Sequence, residues 1–499
     1  MEIDAILARK VGPPAVSQFG SPIHPAQHGG SLAARVTNFR SKLMSAVEHA
    51  TLPVCSPVPV SMAYLPDESL IWGNARVMSW NNLEMFQLCE KMAGIVRTRC
   101  FLLPVYVLHE PSAIADVLVN SPQCFHKPYV LRRLRLLFGN GLLTSDGAVW
   151  KHNRHLVQPA FSNQHISDFV TIVQRNTLEM VASWSNDEER DIYHDLVELC
   201  MKNVMQALFG VYDEELAQVT RELAATCHEL VGAVFSWIWL LPFLWPGTLK
   251  TKLKKQLRGL DACLDRLISQ RKNEPPRNDF LGMLLSGKDD HPPLSRDLIR
   301  DESVTILLAG HETSASALVW SLYMLSTHPE CAEKVAIELK SQLSGEDPQH
   351  RDLDRLSYLK GCLDESLRLY PPTHRIARTV VKPVTVGGHR LPVGAEVVMP
   401  QWSVHRSTRW YDRACHFVPE RWTPEFRRSL PRFAYFPFSG GPRTCVGGNL
   451  AWSEAAVVLA MLSQRFRFTC CERDLLEPAA GLTLLPGGGH FRVRLERRA

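Results

Sequence analysis

No stretch of about 20 uninterrupted apolar residues occurs in this chain, and a membrane-spanning helix needs roughly that length. The nearest approach, residues 230–245, is shorter and is broken by Pro242. It reads as the end of a buried helix, or as a surface that dips into a membrane or admits an apolar substrate. Zinc-type spacings are missing too. The thirteen cysteines form no C-x-x-C pair and only Cys470 and Cys471 adjoin, which favours a reducing compartment over a disulfide framework. Internal repeats and low-complexity linkers are absent, so nothing splits the 499 residues into separate units. Charge of one sign is scarce, and a net +5 argues against a chain-wide nucleic-acid surface. The composition, 45% hydrophobic and 21% charged with mean hydropathy −0.10, is that of an ordinary globular protein.

Acidic residues are also missing between Asp4 and Glu48, a stretch that holds Arg9, Lys10, Arg35, Arg40 and Lys42. Residues 1–30 are rich in Pro, Gly, Ser and His and read as poorly ordered. Residues 31–50 place Leu32, Val36, Phe39, Leu43 and Val47 along one helical face. We read 1–54 as an exposed leader plus an amphipathic surface helix, loosely like a mitochondrial transit segment. Residues 55–499 read as one domain.

One cysteine stands apart from the other twelve. Cys445 lies in Phe-Pro-Phe-Ser-Gly-Gly-Pro-Arg-Thr-Cys-Val-Gly-Gly-Asn-Leu, residues 436–450. Gly440, Gly441 and Pro442 force an irregular loop. Beyond Asn449 the pattern turns helical, with Leu450, Ala451, Ala455, Val458, Leu459 and Leu462 at three-to-four spacing. Cys445 therefore sits at or just before a helix start, where unpaired N–H groups and the positive end of the helix dipole favour a thiolate. Arg443 adds a positive charge. A thiolate without partner cysteines suits a single axial bond to a soft metal.

This loop resembles the haem-binding signature of the cytochrome P-450 superfamily, Phe-x-x-Gly-x-Arg-x-Cys-x-Gly, matched at Phe438, Gly441, Arg443, Cys445 and Gly447. The resemblance implies a mainly α fold with small β-sheets near its edge (α+β). It implies haem b, iron protoporphyrin IX, with Cys445 as the metal ligand.

Further motifs follow in the family's order, from about residue 55 to the C-terminus. Residues 301–328 form a long apolar helix pattern containing Ala309-Gly-His-Glu-Thr-Ser314. Gly310 and Thr313 weaken the helix locally and allow a kink or bulge. The segment resembles the family's oxygen-activation motif. Thr313 would then stabilise bound oxygen and relay protons, and Glu312 would connect that relay to solvent. Protons must arrive before an O–O bond breaks, so a hydroxyl and a carboxylate are the needed types.

Residues 358–372 place Glu365 and Arg368 three apart on a helix ended by Pro371 and Pro372. Taken alone this is a surface ion pair of little worth. It resembles the family's Glu-x-x-Arg motif, buried and completed by an arginine from a later loop, here Arg421. That triad has a structural role. Trp422 stands where the family often has Phe, and we read it as a tolerated aromatic swap. Trp150 and Arg154 lie four apart on a helix face, and Arg378 opens a strand-like segment. With Arg443 they resemble the family's haem-propionate ligands, since guanidinium and indole donors suit carboxylates. Residues 96–101 and 105–108 fit an early β-hairpin.

The implied reaction inserts one oxygen atom from O₂ into an apolar substrate, fatty acid or terpenoid-like. Because the chain ends soon after residue 496, electrons would come from a separate ferredoxin, flavodoxin or flavoprotein reductase. Lys151, His155, Arg427, Arg428 and Arg432 would steer an acidic partner. Phe235, Leu307, Leu308, Ala309, His374, Arg375 and Leu484 would line the pocket. His374 and Arg375 are placed to meet a substrate carboxylate or to face solvent. Two other classes stay open. One is a haem-thiolate isomerase, dehydratase or peroxygenase needing no redox partner, and the other is a non-catalytic haem sensor. Neither needs the Glu312–Thr313 pair. A monomer in the cytoplasm, with at most peripheral membrane contact, completes the expectation.

Overall fold

Alternating and helical periodicities divide the chain into a helical body and a flanking sheet. The computed structural model describes residues 60–498, apart from 68–72, 76–77, 79–81, 234–246, 276, 278, 287–293 and 472–475. The leader and its amphipathic helix lie outside the described residues, as does Phe235. Among the described residues, ten helices reach eleven residues or more. They are α1 (Asn82–Met92), α2 (Gly147–Val157), α3 (Asn163–Ala182), α4 (Ile192–Phe209), α5 (Glu214–Ala233), α6 (Gly247–Lys272), α7 (Arg296–Thr327), α8 (Pro329–Leu343), α9 (Ser357–Leu369) and α10 (Gly448–Arg465).

Helix α7 is the axis of the body. It starts at Ser295, whose side chain accepts from the Leu298 N–H, and it is buried on nearly every side from Ile299 to Leu325. A helix apolar all round belongs in a core. Its second half packs with α3, α4, α8, α9 and α10 in one cluster that includes Trp184, Trp320, Tyr323 and Phe491. Gly310 lets α4 approach closely, because a Cβ there would lie 3.0 Å from Val204 Cγ2. The helix is assigned without interruption from 296 to 327.

The main sheet has the order β1-β2-β3-β9-β6-β4, from β1 (Met62–Tyr64), β2 (Ile95–Cys100), β3 (Leu103–Leu108), β4 (Phe125–His126), β6 (Ile376–Val380) and β9 (Glu396–Met399). The expected hairpin is β2–β3, paired from Ile95↔Leu108 to Cys100↔Leu103 and turned by Phe101 at φ 55°. Smaller sheets join β10 (Phe466–Cys470), β13 (Arg492–Arg497) and β5 (Glu188–Asp191). Strands β7 (Val384–Val386) and β8 (His389–Leu391) pair, as do β11 (Pro478–Ala480) and β12 (Leu484–Pro486). The β11–β12 hairpin is tied to α7, since Ser316 Oγ and Trp320 Nε1 both donate to Leu484 O, at 2.6 and 2.9 Å.

Candidate active site

The loop before α10 is fixed by its own backbone. The Cys445 N–H donates to Phe438 O at 3.0 Å. Gly441 has φ +70°, and a Cβ there would sit 1.9 Å from Leu118 O, so only glycine fits. Phe438 packs against the large core cluster and Gly447 caps α10. Cys445 is exposed. Burial nevertheless pushes its thiol above the ordinary range, against the lowering effects of the Gly447 N–H and of Arg154. A group both accessible and desolvated faces a void inside the protein. The expected lowering influences are present but burial outweighs them, and a bound cation would favour the thiolate.

A second set of side chains faces open space within the fold. In the middle of buried α7, Ala309 is exposed and Leu308, Gly310 and Thr313 are half-buried, while Leu307 is fully buried. Ala309 and Thr313 are four apart and share a helix face. Leu308, Val446, Leu142 and Leu482 pack against one apolar cluster, which brings α7, the cysteine loop and the β11–β12 turn together.

The third set is cationic. Arg443 Nη1 lies 2.5 Å from Asp146 Oδ1, and its guanidinium stacks 5.1 Å from the Trp150 ring centroid. Buried Lys127 donates to Leu142 O. Burial first, then repulsion from Arg443 and Arg378, lowers its ammonium to about 7, although Asp146 and Glu302 act the other way. Arg378 is lowered to about 10 by burial and by Arg443. Burial alone lowers Arg375 to about 10. Among these four cations and Asp146, positive charge is in excess, and such a set is completed by anions. A group that brings a metal to Cys445 and anions to these cations would suit the residues present, as the resemblance to the haem-binding signature implies. Haem answers that description.

Arg154 is placed differently from the other anion-side arginines. Its Nη1 donates to Thr444 O at 2.8 Å and its Nε to Gln158 at 3.1 Å. It therefore supports the cysteine loop and places a positive charge near the sulfur. His374 is buried with neither ring nitrogen hydrogen-bonded, and burial together with Arg375 holds it well below the usual range. Leu484 is fully buried.

Glu365 and Arg368 are wholly buried, which removes the surface-pair reading. They are bidentate, with two bonds of 2.8 Å. Arg368 also donates to the carbonyls of His405, Ala414 and His416 at 2.7, 2.6 and 3.0 Å. Arg421 Nε and the Val418 N–H complete Glu365, each at 3.0 Å. Trp422 corrects the expectation of a simple aromatic swap, because its indole N–H donates to Glu365 Oε2 at 2.9 Å, which Phe cannot do.

Several contributors carried no motif. Asp301 and Glu302 at the start of α7 accept from the N–H groups of Asn140 and Leu142 at 2.7 and 3.0 Å, and Asn153 on α2 donates to Glu302 at 2.9 Å. They clamp α2 and its leading loop to α7. Asp146, the partner of Arg443, and Lys127 beside it carried no motif either. Glu312 is buried and bonds to His228 Nε2 on α5 at 2.5 Å. Only the unusual density of polar residues at 301–305 hinted at these roles. Of the proposed steering charges, Arg427 pairs with Asp364 and Arg428 with Glu425. Lys151 and Arg432 stay exposed.

A sequence profile for the cytochrome P450 family matches residues 65–490. Cyclooctatin synthase of Streptomyces melanosporofaciens is 29% identical over 421 residues, covering 83% of this chain and 92% of that protein. Pentalenene oxygenase of Streptomyces avermitilis is 29% identical over 435 residues (85% and 95%). Human cytochrome P450 4V2 is 28% identical over 480 residues (89% and 90%). The crystal structure of a cytochrome P450DA heme domain superposes with TM-score 0.79 at 23% identity, covering 89% of this chain and 98% of that one. The chain belongs to the cytochrome P450 family and is an oxidoreductase of the monooxygenase type. No helix among the described residues is long and apolar enough to cross a membrane.

Proposed function

We propose that this protein is a terpenoid monooxygenase that binds haem b through Cys445 and takes its electrons from a separate ferredoxin or flavodoxin-type partner. Residues 55–499 form its single catalytic domain. The observation that carries the reading is the desolvated yet accessible Cys445 in a loop of family sequence. The substrate class is supported by the relatives, among them a cyclooctat-9-en-7-ol 5-monooxygenase and the pentalenene oxygenase. An apolar cluster containing Leu307, Leu308 and Leu482 supports it as well.

When bound, haem supplies the metal-centred activation of O₂. This chain's own residues do the rest. Gly447 N–H and Arg154 favour the thiolate of Cys445. Arg378, Arg443 and Lys127 hold the anionic edge, and Trp150 braces Arg443. Ala309 leaves room on α7. Thr313 Oγ1, which donates to Ala309 O at 2.7 Å at rest, holds a proton near the reacting face, and Glu312 resupplies it. Apolar residues around the void keep out water that would compete for those protons.

The test is an absorption titration of the purified protein. Reduced under CO, it should show the strongly red-shifted Soret band of thiolate ligation, lost in Cys445→Ala. Cyclooctat-9-en-7-ol and pentalenene should shift the ferric form from low to high spin, while lauric acid should not. A histidine-like CO spectrum that survives Cys445→Ala overturns the haem assignment. A shift with lauric acid alone overturns the substrate class.

A further inference from the structure

Glu312 is held by groups from three elements. His228 Nε2 on α5 lies 2.5 Å from its Oε1. The Thr483 hydroxyl in the β11–β12 turn and the His311 ring on α7 lie near enough to lower the Glu312 carboxyl, without a hydrogen bond from Thr483 Oγ1. Tyr193 on α4 and Cys227 on α5 also feel the Glu312 charge. His311, buried with Nδ1 against Leu307 O at 2.7 Å, in turn feels Arg221 and Glu198. The turn presses on the His228 ring, since a Cβ at Gly481 would lie 2.7 Å from Nδ1.

Two features make His228 more than a brace. Its side chain keeps 24% exposure against 11% for Glu312, so the imidazole is the more accessible member of the pair. Burial pushes the Glu312 carboxyl up, but the hydrogen bond and charge of His228, then His311 and Thr483, more than offset this and leave it below the usual carboxylate range. At neutral pH Glu312 is therefore ionised and has no proton of its own to give. A carboxylate only accepts hydrogen bonds, so the hydrogen between the two residues sits on Nε2.

We propose that His228 is the solvent-side proton carrier of this site, passing protons from water to Glu312 and so to Thr313. The inference rests on the reading that Glu312 and Thr313 protonate bound oxygen. In the step, Nδ1 takes a proton from solvent hydronium, leaving water, as the Nε2–H bond breaks and its proton moves to Glu312 Oε1; proton exchange of the ring with solvent then restores the Nε2–H tautomer. Glu312 then releases its proton toward Thr313 and returns to carboxylate. No electron moves. An imidazole suits this because one nitrogen can release a proton while the other accepts one.

The experiment compares His228→Gln, His228→Leu and Glu312→Gln in the haem-loaded enzyme. Gln keeps a hydrogen-bond donor but cannot carry a proton through, so it separates relay from brace. Without turnover, ¹⁵N-histidine NMR of the CO form should show a ring signal that disappears in His228→Leu and moves in Glu312→Gln. It should stay in place in Glu229→Gln, a control on the same helix. With O₂ and reductant alone, oxygen uptake in both His228 variants should fall about tenfold or more, within the usual range for a lost acid–base group. The solvent deuterium effect should rise. A His228→Gln variant with wild-type uptake and isotope effect overturns the inference, as does a ring signal indifferent to Glu312→Gln. If Glu312→Gln itself leaves uptake and isotope effect unchanged, the relay reading falls and His228's role with it. Loss in Glu312→Gln alone overturns only the role of His228.

Discussion

Two arginine clusters flank the cysteine loop, and they differ in whether the protein completes them. Around Glu365, every strong donor has an acceptor. Arg368 has its carboxylate and three carbonyls, and Glu365 receives Arg421, Trp422 and Val418 besides. Around Arg443, by contrast, Lys127 and Arg378 have only Asp146 and, for Lys127, Glu302 as nearby carboxylates, and both cations are depressed by burial and by repulsion from Arg443. A finished cluster is architecture. An unfinished one is the kind of cluster that a bound anion would complete, as proposed for haem.

Four experiments would break or sharpen this contrast, and the largest effect is expected at the finished cluster. Glu365→Ala leaves Arg368 charged and unpaired in the core, which costs about 3–5 kcal/mol. Urea unfolding of the purified protein, or its failure to accumulate folded, measures this. At the unfinished cluster the direction differs. Arg378→Met should leave the unfolding midpoint of the haem-free protein unchanged or raised, because it removes a buried cation. It should speed haem loss to apomyoglobin about tenfold or more, the loss expected for one charge-assisted hydrogen bond. A lowered apo-protein midpoint would place Arg378 with the architecture instead.

Trp422→Phe sits between the two. It keeps the ring and deletes one donor to Glu365, so a loss of about 1–3 kcal/mol is expected, with the CO spectrum unchanged. No loss would restore the simple aromatic swap. The last test is a pH dependence, read as a slope and not as a single loss. Lys127 is lowered in the folded state to about 7 from an ordinary 10.5. Between those values the unfolded chain binds the extra proton, so the haem-free protein should gain stability as pH rises from about 7 toward 10.5. The gain should vanish in Lys127→Met. It should also shrink once anionic haem carboxylates restore the charged lysine, as thermal unfolding across that pH range would show.

Much of the site was legible because it is local. The glycines and proline around Cys445, the helix that follows it, the hairpin at 95–108 and the long apolar helix through Thr313 all depend on residues close in sequence. What escaped depends on residues brought together from afar. Asp146 meets Arg443 across 297 positions, Glu302 meets Asn153 across 149, and His228 meets Glu312 across 84. None of these pairs has a spacing that a linear pattern could display.

The sequence by itself determined which loop carries the sulfur, which helix carries the hydroxyl, and that this chain has the order of motifs of a haem-thiolate enzyme. Only the tertiary structure decided which charges are completed within the protein, how strongly the thiol is desolvated, and which side chain meets Glu312. The physical reason is that propensity and periodicity act over a few residues, whereas desolvation and Coulomb interactions depend on every group within several ångströms, whatever its place in the chain.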